Sequence, residues 1–121
     1  MPVTAEQRER VERWLAALRS GEYRQTHSGF LRDPVGYCPL GVAAEVAGVG
    51  EWKRHREGES VFFDFHVDPD LPEEHKSLVG LYGLTKAQCA EITRLNDIEE
   101  MTLNQIADHI DSTYGLTTEE D

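Results

Sequence analysis

The sequence predicts a mainly helical α+β fold in a single compact domain, with four to five helices and a small β element. Three observations carry that prediction. Thr4, Thr85 and Thr102 are each followed three positions later by glutamine (Gln7, Gln88, Gln105), the capping-box pattern of a helix start. The apolar residues that follow recur at helical spacing. Residues 61–67 instead alternate apolar and polar, the two-residue period of a strand.

The elements follow in order. The first helix is expected over 5–20, with Val11, Trp14, Leu15 and Leu18 on its inner stripe and Gly21 as its stop. A second helix is expected over 39–47, opened by Pro39 at the first helical position and closed by Gly48. It is apolar nearly all round and so should be central. Gly41 costs that helix stability, and close packing would explain its presence. Residues 49–59 read as a polar loop. The strand at 61–67 turns Val61, Phe63, Phe65 and Val67 to one face and Asp64 and His66 to the other. A lone strand leaves its backbone unpaired, so it needs a partner, from 52–56 or from 30–38. A turn at 68–72 leads to a short helix over 72–79, broken by Gly80 to Gly83. The last two helices, over 85–95 and 103–114, point Cys89, Ile92 and Leu95 inward, then set Leu103, Ile106, Ala107, Ile110 and Tyr114 on one stripe. Residues 1–115 form the domain, and 116–121 an acidic tail.

Composition excludes several function classes. The net charge is −11. Residues 1–62 balance nine acidic against nine basic groups, whereas 63–121 hold fourteen against three. Such a half repels nucleic acid, whose binding needs cationic side chains. The helix pair at the C-terminal end resembles a helix-turn-helix, but it carries Asp108, His109 and Asp111 where a base reader needs arginine or lysine, so direct DNA binding is not expected. No apolar run approaches the ~20 residues that span a bilayer, and the polar start lacks a signal-peptide pattern, so a cytoplasmic, non-membrane protein is expected. Cys38 and Cys89 are expected as free thiols.

The chemistry-bearing residues gather in 22–42, between two helices. Tyr23, Gln25, Arg32 and Tyr37 are the candidate ligand-binding set: an arginine with tyrosines above a helix N-terminus suits a small anionic ligand. The alternative is that the tyrosines pack one helix on the other while Arg32 pairs outward. Cys38 is a weak catalytic candidate. It sits at the expected N-cap of the second helix, where the dipole lowers a thiol pKa, with His27 or His66 as base and Glu45 as orienter. No cysteine-enzyme signature surrounds it, and a structural role is preferred. No metal or cofactor is expected: the histidines and cysteines do not fall at zinc spacing, and Asp64, Asp68 and Asp70 lack the rest of a calcium loop. The acidic residues Asp97, Glu99, Glu100, Asp108 and Asp111 are the candidate docking surface for a partner.

The pattern Trp14, Leu18, Ser20-Gly21, Tyr23, Gln25, Leu31-Arg32, Tyr37-Cys38, Leu40-Gly41-Val42, with Leu95-Asn96-Asp97 and Thr102, Ile106-Ala107-Asp108, Ile110 near the end, resembles small uncharacterised accessory proteins of bacteriophages and prophages. Members often carry two cysteines before the Leu-Gly-Val; this chain keeps Cys38 alone. The resemblance implies no established activity. It implies a phage accessory protein acting in the infected host's cytoplasm, a class that commonly interferes with host defence or redirects host machinery, and it gives no mechanism. The first expectation is a non-enzymatic protein that binds and neutralises a host factor, a defence component, through its acidic C-terminal half. Sequestration of a small anionic ligand such as a nucleotide signal and a cysteine-dependent enzyme remain as alternatives, and self-association is left open.

Overall fold

The computed structural model describes residues 4–27 and 30–116. Among them are five α-helices and one antiparallel hairpin: α1 (Ala5–Arg19), α2 (Pro39–Ala47), β1 (Gly50–Glu57), β2 (Ser60–Val67), a 3-10 turn (Glu73–His75), α3 (Leu78–Tyr82), α4 (Lys86–Asp97) and α5 (Leu103–Thr113). The fold is α+β and mainly α. No helix among the described residues is long and apolar enough to cross a membrane.

All three capping boxes form, with Thr4, Thr85 and Thr102 accepting from the backbone of the glutamine that caps each in return. The helix starts read from these three capping boxes are therefore the real ones. α2 lies at the centre, against α1, α3 and α4. Trp14, Val42, Leu81, Tyr82, Ile92, Ile106 and Ile110 are fully buried around it. Each such side chain contributes about 1.5–3 kcal/mol by leaving water. Two polar handles are satisfied inside this core. Trp14 Nε1 donates to the Pro39 carbonyl (2.9 Å), and the Tyr82 hydroxyl donates to the Ala43 carbonyl (2.6 Å). Their rings meet at 5.1 Å. Gly41 has the packing reason expected of it, since a Cβ there would collide with the backbone carbonyl of Leu31.

The structure corrects three expectations. The polar loop at 49–59 contains β1, paired with β2 in a register running from Gly50 opposite Val67 to Glu57 opposite Ser60. β1 is exposed at every position except the half-buried Trp52, so it has no apolar alternation by which a strand is recognised. The helix expected over 72–79 is split into the 3-10 turn and α3, and Gly80 lies inside α3. Only Gly83 ends it, in the left-handed conformation at φ +71°. Leu116, assigned to the tail, is buried in the core. The remainder of the expected tail, 117–121, lies outside the described residues.

The hairpin joins the helices through its inner face. Phe63, Phe65 and Val67 are half-buried, as the alternation predicted, and Trp52 lies opposite Phe65. Both partners proposed for the strand are used. β1 covers one edge of β2, and Arg32 covers part of the other, where Phe63 N donates to the Arg32 carbonyl (2.9 Å).

Candidate functional site

Segment 22–42 is held in strand-like contacts. Tyr37 N donates to the Arg24 carbonyl (2.8 Å), Thr26 N to the Tyr37 carbonyl (2.9 Å), and Cys38 N to the Leu31 carbonyl (2.9 Å). These bonds stack 24–26, 31–32 and 37–38 side by side and carry Arg32 to β2.

The Arg32 guanidinium lies in an aromatic cage. Its central carbon is 4.9 Å from the Tyr37 ring centre, 5.4 Å from Trp52 and 4.7 Å from Phe63. Tyr23 closes on Tyr37 edge-on at 5.2 Å, and Trp52 Nε1 donates to Glu45 of α2 (2.6 Å). One cation thus clamps the 22–42 segment, both strands and α2 together. Burial pushes both the Tyr23 and Tyr37 phenols up, against the lowering influence of Arg32 on Tyr37, so both are neutral at pH 7.

Gln25 faces elsewhere. Its amide donates to Asn96 Oδ1 (2.7 Å) and to the Met101 carbonyl (2.6 Å). The fully buried Asn96 in turn donates to the Thr26 carbonyl (2.8 Å) and to Asp97 (2.8 Å). His27 Nδ1 donates to the Asn96 carbonyl (2.6 Å), and the Thr26 hydroxyl to Asp33 (2.6 Å). The proposed ligand set is therefore divided. Tyr23, Arg32 and Tyr37 come together, while Gln25 knits the segment to the end of α4.

Cys38 is the N-cap of α2, as placed from the sequence, and its Sγ accepts from Gly41 N (3.3 Å). Burial pushes its thiol up to about 11, outweighing the backbone N–H groups that favour the thiolate. The expected activation is reversed, because desolvation exceeds what one helix end supplies. The proposed helpers are engaged apart from it: His27 on Asn96, Glu45 on Trp52, and His66 beside His55 on the hairpin.

Four of the five acidic docking candidates have partners within the chain. Asp108 and Asp111 share Arg19 (2.8 and 3.4 Å), Glu99 pairs with Arg94 (2.8 Å), and Asp97 accepts from Asn96. Glu100 is exposed, with a positive φ of 52°. Exposed pairs of this kind are each worth little, but Arg19 and Arg94 offset two of the five negative charges that were to form the surface.

The structure also gathers residues that sequence spacing did not. Trp52 and Phe63 complete the cage, and Asn96 centres the polar network. On the outer face of the hairpin Phe30 stacks on Phe62 (4.4 Å, 4°), Phe62 faces His55 (5.5 Å, 14°), and His55 faces His66 (6.3 Å, 13°). His55, Asp64 and His66 bring their donor atoms within 4.8 Å of one another. Spacing along one strand cannot reveal such a group, because the antiparallel register assembles it across two.

Residues 7–76 match the model of a domain of unknown function, DUF8296. That is more than half of the 121 residues. The chain belongs to this family. No curated protein and no solved structure matches it. The DUF8296 match takes in most of α1, all of α2, the hairpin and the 3-10 turn, and with them the complete Arg32 cage and the His55–Asp64–His66 group. α4 and α5 lie beyond it, so the Gln25–Asn96 bond ties the family's part of the chain to the remainder.

Proposed function

We propose that this DUF8296 protein is a non-enzymatic accessory protein that works by binding a host protein, in the anti-defence setting that the phage likeness implies. Its docking element is the outer edge of β1, which takes an extended, acidic segment of the partner as an added strand. The observation that carries this reading is the unequal state of the two hairpin edges. The outer edge of β2 is met by Arg32 at Phe63. No strand lies beside the outer edge of the eight-residue β1 among the described residues.

The alternation of an antiparallel ladder says which groups face out. Phe63 donates away from β1, so its opposite number Arg54, with Trp52 and Arg56 in phase, turns its backbone N–H to the open side. Natural proteins blunt such edges, and an open one is a template for strand addition. Lys53, Arg54 and Arg56 against Glu51 and Glu57 leave β1 with a small positive excess in a chain whose net charge is −11. That charge discourages pairing with a second β1 and favours an acidic segment. The raised pKa of the Cys38 thiol supports binding over thiol catalysis.

Arg54→Pro tests this reading. It removes an outward N–H and leaves the ladder to β2 intact, as proline on an edge strand allows. The chain would be purified from host cytoplasm and weighed intact by native mass spectrometry. The wild type should carry a host polypeptide that Arg54→Pro loses at least tenfold, with little change in thermal midpoint. Full retention by Arg54→Pro would overturn the edge, and a small-molecule mass lost with Arg32→Ala would support ligand sequestration in its place.

A further inference from the structure

The outer face of the hairpin carries a second feature that the edge reading does not use. Alternation places Glu51, Lys53 and His55 of β1 on the same side as Phe62, Asp64 and His66 of β2. His55 reaches diagonally to Asp64, with Nε2 3.0 Å from Oδ2. His66 is the next same-face residue after Asp64, and its ring lies nearly parallel to that of His55.

We propose that His55, Asp64 and His66 bind one divalent transition-metal ion, with zinc the best match. Two imidazoles and one carboxylate are the donor set of open, three-ligand zinc sites, in which a fourth position is left for water or an incoming group. Zinc bonds of about 2.0–2.2 Å place tetrahedral ligand atoms roughly 3.3 Å apart. The His55–Asp64 pair is already near that separation. The donor atoms of the group all lie within 4.8 Å of one another on exposed side chains, so binding asks for small side-chain movements.

The surroundings suit the ion. Phe62, backed by Phe30, faces the His55 ring and limits its swing. Lys53, opposite Asp64 in register, reaches Glu51 (3.5 Å). His66 and Glu51 also line an open cleft of about 770 Å³ with Asp68, so a ligand that completes the metal's coordination has access from that side. The net charge of −11 draws cations to the molecule.

The test is calorimetric titration of zinc into the full-length chain after chelator treatment. One zinc per chain is expected. His55→Ala and His66→Ala should each weaken binding at least tenfold, and Asp64→Asn should weaken it less. His75→Ala and Cys89→Ser should leave it unchanged. Nitrogen resonances of the His55 and His66 rings should shift with zinc while those of His27 and His75 stay in place. Zinc bound as tightly by the His55→Ala/His66→Ala double variant as by the wild type would overturn the proposal, as would ring shifts confined to the other histidines. Exposed positions on a surface face tolerate these changes, and an unaltered far-ultraviolet spectrum would confirm the fold of each variant.

Discussion

Arg32 shows how a residue's surroundings reassign it. An arginine beside two tyrosines suggests an anion site, yet its guanidinium faces Tyr37, Trp52 and Phe63 and clamps the hairpin to the helices. Cation–π contacts of this kind are worth about 0.5–2 kcal/mol, and the planar guanidinium stacks where an ammonium does not. Arg32→Lys should therefore cost stability of about 1 kcal/mol despite keeping the charge, and Arg32→Ala somewhat more, read as a lower midpoint in urea. Midpoints unchanged in both variants would show that the cage does not hold the hairpin. Cys38 makes the same point with opposite sign: the N-cap position was legible in the sequence, while the burial that keeps the thiol protonated was not.

At the scale of elements, α4 and α5 are clipped together by Glu91. It accepts from the Tyr114 hydroxyl (2.5 Å) and pairs with His109 Nε2 (2.8 Å). Those bonds, that from Tyr114 foremost, hold its carboxyl below the ordinary value of 4.5. A lowered carboxylate stabilises the folded state fully above its unfolded value and loses that contribution as pH falls through the lowered one. Glu91→Gln should be less stable than the wild type near neutral pH, and the gap should narrow as the solution is acidified below the ordinary carboxyl value of 4.5. Urea midpoints at several pH values check this; a gap that stays constant on acidification would refute it. The hairpin is the contrasting element. It has one edge met by Arg32 and one with no strand beside it among the described residues, and an outer face of exposed side chains. Those properties are why the proposed partner edge and the proposed metal group both fall there.

For the molecule as a whole, Asn96 joins two distant parts of the chain. It is fully buried and bonds to Gln25, Thr26 and Asp97, and it links the segment after α1 to the end of α4. Asn96→Ala leaves the Thr26 carbonyl and the Gln25 amide short of a partner in a buried place, which costs about 2–3 kcal/mol. Tryptophan fluorescence should report that loss at the same urea concentration as far-ultraviolet dichroism, because Trp14 and the helices share one core. Separate transitions in the wild type would show that the halves unfold independently.

The sequence by itself determined α1, α2, α4 and α5, because caps and helical stripes act over three to seven residues and need no distant partner. It determined β2 for the same reason, since its inner face is apolar at every second position. Tertiary structure alone decided β1, whose residues are almost all exposed and whose strand state comes from pairing with β2. It also decided which of the chemically suggestive residues act together. Gln25 was drawn to Asn96, 71 positions away, and Arg32 to Phe63, while His55 met Asp64 and His66 across the hairpin. These contacts join separate segments, set by register and packing, and no periodicity along one segment encodes them.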